Sequence, residues 1–186
     1  MDMYVNELHN DIDSNALEQE VYTLISDHSL QDQDQISLTS IDGNNDWQSS
    51  TGKMINLNHP ERYFSEVNKS LNGTLIEKYI NRYQNFYRWR LMKLVPNRTY
   101  SIHQDGFTTK SNIRLHIPIV TNDKCFLCFY DSEPEHGTSS LVKHYNLKCG
   151  NSYEVDTTKH HTAVNYGSLD RYHIVGVRYE NSNNRS

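Results

Sequence analysis

The sequence lacks any stretch near the roughly 18 to 20 apolar residues that a membrane span requires. Its opening residues, MDMYVNELHNDID, have neither the basic nor the apolar part of a secretory signal. A cytoplasmic protein that makes no membrane contact is therefore expected. Cysteine is scarce: Cys125, Cys128 and Cys149 are an odd number without secretory context, which argues against a disulfide framework. Cys125-Phe126-Leu127-Cys128 has the spacing of a redox or zinc pair. The run CFLCFY nevertheless reads as a buried strand, where positions i and i+3 face opposite sides.

Basic residues are missing from the first 52 positions, which carry eleven Asp and Glu before the first cation, Lys53. Residues 53 to 186 hold eighteen Lys and Arg against twelve Asp and Glu, a surplus of six positive charges. Such asymmetry is one mark of a nucleic-acid-binding body with an acidic tail. The cations form no basic run and no stripe with interleaved aromatics, so packing of the acidic part on the same domain's basic part is expected.

With 186 residues the chain has the size of one domain, and Tyr supplies 13 of its 20 aromatic residues, which favours β structure. Residues 1–14 read as a flexible acidic N-terminus. A short amphipathic helix is predicted over 15–25 and a strand over 35–40, followed by a turn at Asp42-Gly43-Asn44-Asn45. Helices are predicted over 60–68 and 75–82. From residue 86 the pattern changes to short strands, at 86–95, 99–103, 112–120, 124–130, 144–148, 151–155, 162–166 and 171–179, broken by Asn, Asp, Gly and Pro. No helix-length segment interrupts them, so the expected fold is mainly β, a barrel or jelly roll with a few flanking N-terminal helices. The domain is expected over 15–180, with its core at 86–179 and a disordered tail at 181–186. The polar segment 131–143 is a lid candidate.

Ten histidines raise the question of ligand spacing. In an extended strand His103 and Asp105 point the same way while Gln104 faces away, so an imidazole and a carboxylate converge on one point. His9-Asn10-Asp11 and His59-Pro60-Glu61 have the same form, but they lie in the polar N-terminal part and at a helix start. Two His and one carboxylate on one face of an ion form the facial triad of non-haem iron(II) oxygenases. His160 and His161, at the mouth of a late strand, are the candidates for the third ligand. Arg171 lies ten residues after His161 on the next strand. A dicarboxylate that chelates iron through its keto-acid end needs such a cation for its far carboxylate. Arg114 and His116 form another i, i+2 pair on a strand face, where they meet either an anion or a structural ion pair.

From about Tyr87 to Val177 the chain resembles the aspartyl/asparaginyl β-hydroxylase family, a branch of the 2-oxoglutarate oxygenases that also contains free-proline cis-hydroxylases. RWRLMKLVP at 88–96, His103-Gln104-Asp105-Gly106, RLHIPIVTN at 114–122, Gly150 with Tyr153, and HTAVNYGSLDRYHIV at 161–175 carry the resemblance. QISLTS with Asp46-Trp47 is similar to the family's N-terminal segment. The resemblance implies a double-stranded β-helix, iron ligands His103, Asp105 and His161, and 2-oxoglutarate contacts from Arg171, Arg114 and His116. Asn165 matches a position beside the distal ligand without an evident role. A Ser that helps hold the co-substrate in animal enzymes falls at about Met92, so that contact is missing. Asp105 places the chain nearer the bacterial branch, because the animal enzymes lack this carboxylate. The implied reaction uses iron(II), 2-oxoglutarate and O2 to hydroxylate an amino acid or a peptide or protein side chain. A cupin isomerase, a non-catalytic 2-oxoglutarate-binding module and an oxygenase of nucleic-acid bases are the alternatives.

Overall fold

Short segments rich in β-branched and aromatic residues, separated by turn formers, close into antiparallel sheets. The computed structural model describes residues 2–28, 34–52, 60–105, 113–132 and 139–178. In chain order the elements begin with β1 (Val5–His9), α1 (Ser14–His28), β2 (Gln35–Ser37), β3 (Thr39–Ser40) and β4 (Glu66–Val67). They continue with α2 (Leu75–Arg82), β5 (Phe86–Leu94), β6 (Arg98–Thr99), β7 (Ile113–Val120), β8 (Cys125–Tyr130) and β9 (Leu141–Tyr145). The last three are β10 (Ser152–Asp156), β11 (His160–Asn165) and β12 (Arg171–Arg178). A six-stranded sheet has the order β1-β10-β7-β12-β5-β2, and a four-stranded sheet has the order β6-β11-β8-β9.

Strand alternation gives the large sheet two different faces. Leu115, Ile117 and Ile119 of β7 join Trp89 and Leu91 of β5 and Ile174 of β12 in a core with Leu17, Val21 and Leu24 of α1 and Ile76 and Ile80 of α2. The other face meets the small sheet, where Val5, Tyr153 and Val155 pack with Leu127, Phe129 and Leu147. Residues paired across antiparallel strands share a face. Arg90 therefore lies in a row with Val175 and His116, Met92 with His173 and Pro118, and Leu94 with Arg171. This inner face carries most of the polar residues that follow.

Two helices are fixed by their caps. Asp13 caps α1, its Oδ1 accepting from Ala16 N at 3.1 Å. Thr74 caps α2, and the Glu20 carboxylate accepts from Leu75 N and Ile76 N at 2.9 and 3.1 Å. Acidic N-terminal residues thus pack on the body, as Asp11 does with Arg82 at 2.8 Å.

The N-terminal segment is not frayed. Residues Val5–His9 add to the edge of β10, with Val5 opposite Val155 and buried, so the folded unit begins before residue 15. One strongly β-forming residue among polar neighbours gave no local signal; an open sheet edge supplies the partner. The helix predicted over 60–68 is a single 3-10 turn at Glu61–Tyr63 followed by β4. Pairing of Val67 with Thr39 and donation from Asn68 N to Leu38 O at 3.0 Å override the helical spacing. The tail at 181–186 lies outside the described residues, as does the middle of the lid candidate, 133–138; its last residues open β9. Among the described residues no helix is long and apolar enough to cross a membrane.

Candidate metal centre and anion pocket

After β6 the chain continues alongside β11. Tyr100 N donates to Ala163 O, His103 N to His161 O, His161 N to His103 O, and Asp105 N to Thr157 O, at 2.9 to 3.2 Å. This ladder sets His103 directly opposite His161, with ring centroids 4.4 Å apart. Among the described residues, the one group of His, Cys, Asp or Glu able to share an ion is His103, Asp105 and His161, whose ligand atoms lie within 4.8 Å of one another. His160 occupies the opposite face of β11, across from Tyr130, while His161 pairs with Phe129 toward the interior.

Both imidazoles have their tautomer set by the backbone. Nδ1 of His103 meets Ser101 O and Nδ1 of His161 meets Lys159 O, each at 2.8 Å. With the proton donated there, the Nε2 lone pairs are left for an ion. Burial, then the neighbouring His103, lowers the His161 pKa, so the ring is neutral as a ligand must be. Asp105 uses Oδ2 to accept from Arg114 Nε at 3.1 Å, while its Oδ1 lies 3.8 Å from His103 Nε2. Burial is the largest influence on Asp105 and opposes its charge, but Arg114, His161 and His103 together hold the carboxyl below its ordinary range. The donor set of two imidazoles and one carboxylate fits iron(II) in a facial arrangement.

Arg114 has a second acid, Glu61 Oε1 at 3.4 Å, and Arg88 is ion-paired with the same oxygen. Arg88 sits at φ 49°, in the left-handed region, and donates from Nε to Ser50 O at 2.9 Å and from Nη2 to Gly52 O at 2.6 Å. A chain of contacts thus runs from the loop after β3 through Arg88, Glu61 and Arg114 to Asp105. Burial disfavours the Glu61 charge, yet Arg114 and Arg88 hold its pKa below the usual carboxylate range.

Arg171 is buried and has no carboxylate partner among the described residues. Its Nε donates to His173 Nε2 at 3.0 Å and its Nη2 lies 2.9 Å from His173 Nδ1. Burial pushes its pKa down to about 10, which leaves it cationic. Beside it His116 Nδ1 lies 3.4 Å from His173 Nδ1. A buried cation without a counter-charge is costly unless an anion enters.

Other sequence candidates resolve differently. Arg82 bonds Asp11 and approaches His9 Nδ1 at 3.1 Å on the surface, so His9-Asn10-Asp11 is an ordinary ion pair. His59 and Gly106 lie outside the described residues. Asn165 acquires a structural role: Nδ2 donates to Leu94 O and Leu169 O, and Oδ1 accepts from Gly167 N and Cys125 Sγ. Two residues beside the metal group were not read as part of the site in the sequence: Glu61, weighed there only within His59-Pro60-Glu61, and Arg90. Arg90 carries a recognisable signal, because in RWRLM the cation alternates with the outward Trp89 and Leu91 and so must point inward. Burial, then the like charges of Arg88 and Arg114, push its pKa well below the ordinary value.

No family model matches the sequence, and no curated protein matches it. Among solved structures the chain is similar to EvdMO1, with TM-score 0.57 and 12% identity over 96% of this chain and 48% of that one. It is similar to AviO1 from Streptomyces viridochromogenes Tue57, with TM-score 0.54 and 12% identity over 96% and 90% of the two chains. A prolyl-4-hydroxylase from Pseudomonas putida aligns over 96% and 95%, with TM-score 0.50 and 8% identity. The chain spans about half the length of EvdMO1 and of two further matched proteins, 48% and 47% of those chains. At such identities the likeness concerns architecture: the fold is the double-stranded β-helix.

Proposed function

We propose that this chain is an iron(II)- and 2-oxoglutarate-dependent dioxygenase that hydroxylates an aliphatic C–H bond of an amino acid or of a peptide or protein side chain. The observation that carries this reading is a pairing on one inner surface: two backbone-oriented His and a carboxylate at one end, and a buried arginine without a counter-charge among the described residues along the same barrel. An iron(II) ion with 2-oxoglutarate and O2 supplies the oxidising chemistry there, coupling hydroxylation to decarboxylation of the keto acid to succinate and CO2. The chain supplies position. His103 and His161 present Nε2, and Asp105 presents Oδ1 because Arg114 holds Oδ2. Arg171 offers its fork to the far carboxylate of the co-substrate, with His173 fixing the guanidinium plane.

The motif order from 88 to 175 supports the aspartyl/asparaginyl hydroxylase branch within that class. Arg114 and His116 match its co-substrate contacts, and here Arg114 also engages Asp105.

Anaerobic addition of iron(II) and 2-oxoglutarate to purified apo protein should give a weak visible charge-transfer band from the chelated keto acid. Aerobic incubation should release succinate, and a screen of free amino acids, peptides and nucleic acids then identifies what stimulates it. No band at saturating iron would sink the reading.

A further inference from the structure

Four guanidinium groups, those of Arg88, Arg90, Arg114 and Arg171, are buried along the inner face, each 7% exposed or less. The carboxylates that neighbour them among the described residues are Glu61 and Asp105. Four cations thus meet two anions. On the oxygenase reading, on which this inference rests, iron(II) adds two positive charges and 2-oxoglutarate removes two, so a surplus of two remains.

Arg90 is where the surplus is least answered. Its Nη1 donates to Gln35 Oε1 at 3.0 Å, and Gln35 Oε1 in turn accepts from Gly52 N at 3.2 Å, which braces the arginine from the side of β2. Its Nε is buried and has no acceptor among the described residues. An orphaned donor on a buried cation is costly, and a carboxylate is the planar acceptor that matches the edge of the fork. The register separates this edge from the co-substrate's arginine. Arg171 is opposite Leu94, four residues along β5 from Arg90, a backbone separation of roughly 13 Å. Neither guanidinium is among the main charges that act on the other.

We propose that Arg90 is the anchor for a carboxylate on the molecule that is oxidised, so that the substrate is a carboxylic acid gripped through Arg90 Nε. Glu61 Oε2, a buried acceptor that also lacks a donor among the described residues, makes amino acids the first acids to try, because their ammonium group can answer it.

The test uses the anaerobic protein loaded with iron(II) and 2-oxoglutarate. The twenty L-amino acids, each as free acid and as carboxamide, are titrated against the charge-transfer band. At least one acid should perturb the band while its amide does not. In Arg90→Gln the half-saturating concentration of that acid should rise at least tenfold, with 2-oxoglutarate affinity changed less than twofold. Arg90→Lys, which keeps the charge without the fork, should fall between, and it serves if the Gln variant does not fold. Acid and amide acting alike, or no acid acting, overturns the proposal. An equal loss of 2-oxoglutarate affinity in Arg90→Gln overturns it too, by assigning Arg90 to the co-substrate. A wild-type protein without the band would instead defeat the oxygenase reading.

Discussion

Arg114 Nε donates to Asp105 Oδ2 across 3.1 Å, so a cation on the central strand β7 holds one oxygen of the candidate metal-binding carboxylate and leaves the other for the ion. Arg114 is held in turn by Glu61, whose other cation is Arg88. The expected consequence is that Arg114→Gln weakens iron(II) affinity by about 10- to 100-fold, the usual cost of losing a group that orients a metal ligand. Iron titration of the apo variant, with circular dichroism as the check on folding, measures it. Unchanged affinity would mean that Asp105 needs no such support.

Arg171→Ala should weaken 2-oxoglutarate binding while leaving iron affinity nearly intact, because its guanidinium contacts His173 and no metal ligand. Losing a charge-assisted fork costs roughly 1.5 to 3 kcal/mol, about one to two decades in affinity. Titration of the charge-transfer band reads both constants. Equal co-substrate affinity in variant and wild type would place the anion elsewhere.

Part of this site was legible because strand alternation is a rigid rule: with 171–179 read as a strand, the inward direction of Arg171 followed. The strand expected over 99–103 is shorter, Arg98–Thr99, and His103 meets His161 through an isolated bridge, yet the extended chain still turns His103 and Asp105 to one side. Glu61 was not legible. It lies more than fifty residues from Arg114, in a segment whose Tyr63, Phe64 and Val67 have helical spacing, and only pairing with β3 turns that segment extended. The strand β1 was hidden for a similar reason, since its partner β10 lies far along the chain. Local pattern fixes which face a residue takes, whereas the partner across the barrel depends on closure.

Burial, then the charge of Arg171, holds the His116 and His173 pKa values well below the ordinary 6.5. Unfolding restores the ordinary value, so below about pH 6.5 the unfolded chain binds protons that the folded protein refuses. Stability is therefore complete above that pH and falls as the pH drops, by up to about 1.4 kcal/mol per pH unit for each ring. Urea unfolding of the apo protein at several pH values between 7.5 and 5 measures the slope. His173→Gln should flatten it, and an identical slope in that variant would show that other groups govern the loss.

Gly176 on β12 lies under the indole of Trp89, where an added Cβ would stand 2.9 Å from the ring atoms. Trp89 is almost fully buried among Tyr83, Phe86 and the helices, so it has no room to withdraw. Gly176→Ala should destabilise the fold by roughly 1 to 3 kcal/mol, the usual cost of overpacking. Denaturant midpoints compare the two proteins, and equal midpoints would mean the core yields at this point.

The adjacent histidines of β11 offer the sharpest test of the register. His161 is buried, exchanges both backbone hydrogen bonds with His103, and sits opposite Phe129 on the inner face. His160, across from Tyr130, points the other way, since neighbouring residues in a strand face opposite sides. One ion cannot be reached by both without a kink, and β11 pairs with β8 without interruption from residue 160 to 165. His161→Ala should abolish iron(II) binding and succinate release. His160→Ala should leave both largely intact. The reverse result would shift the ligand by one residue, which on a period-2 strand turns every inward residue of β11 outward, Asn165 included.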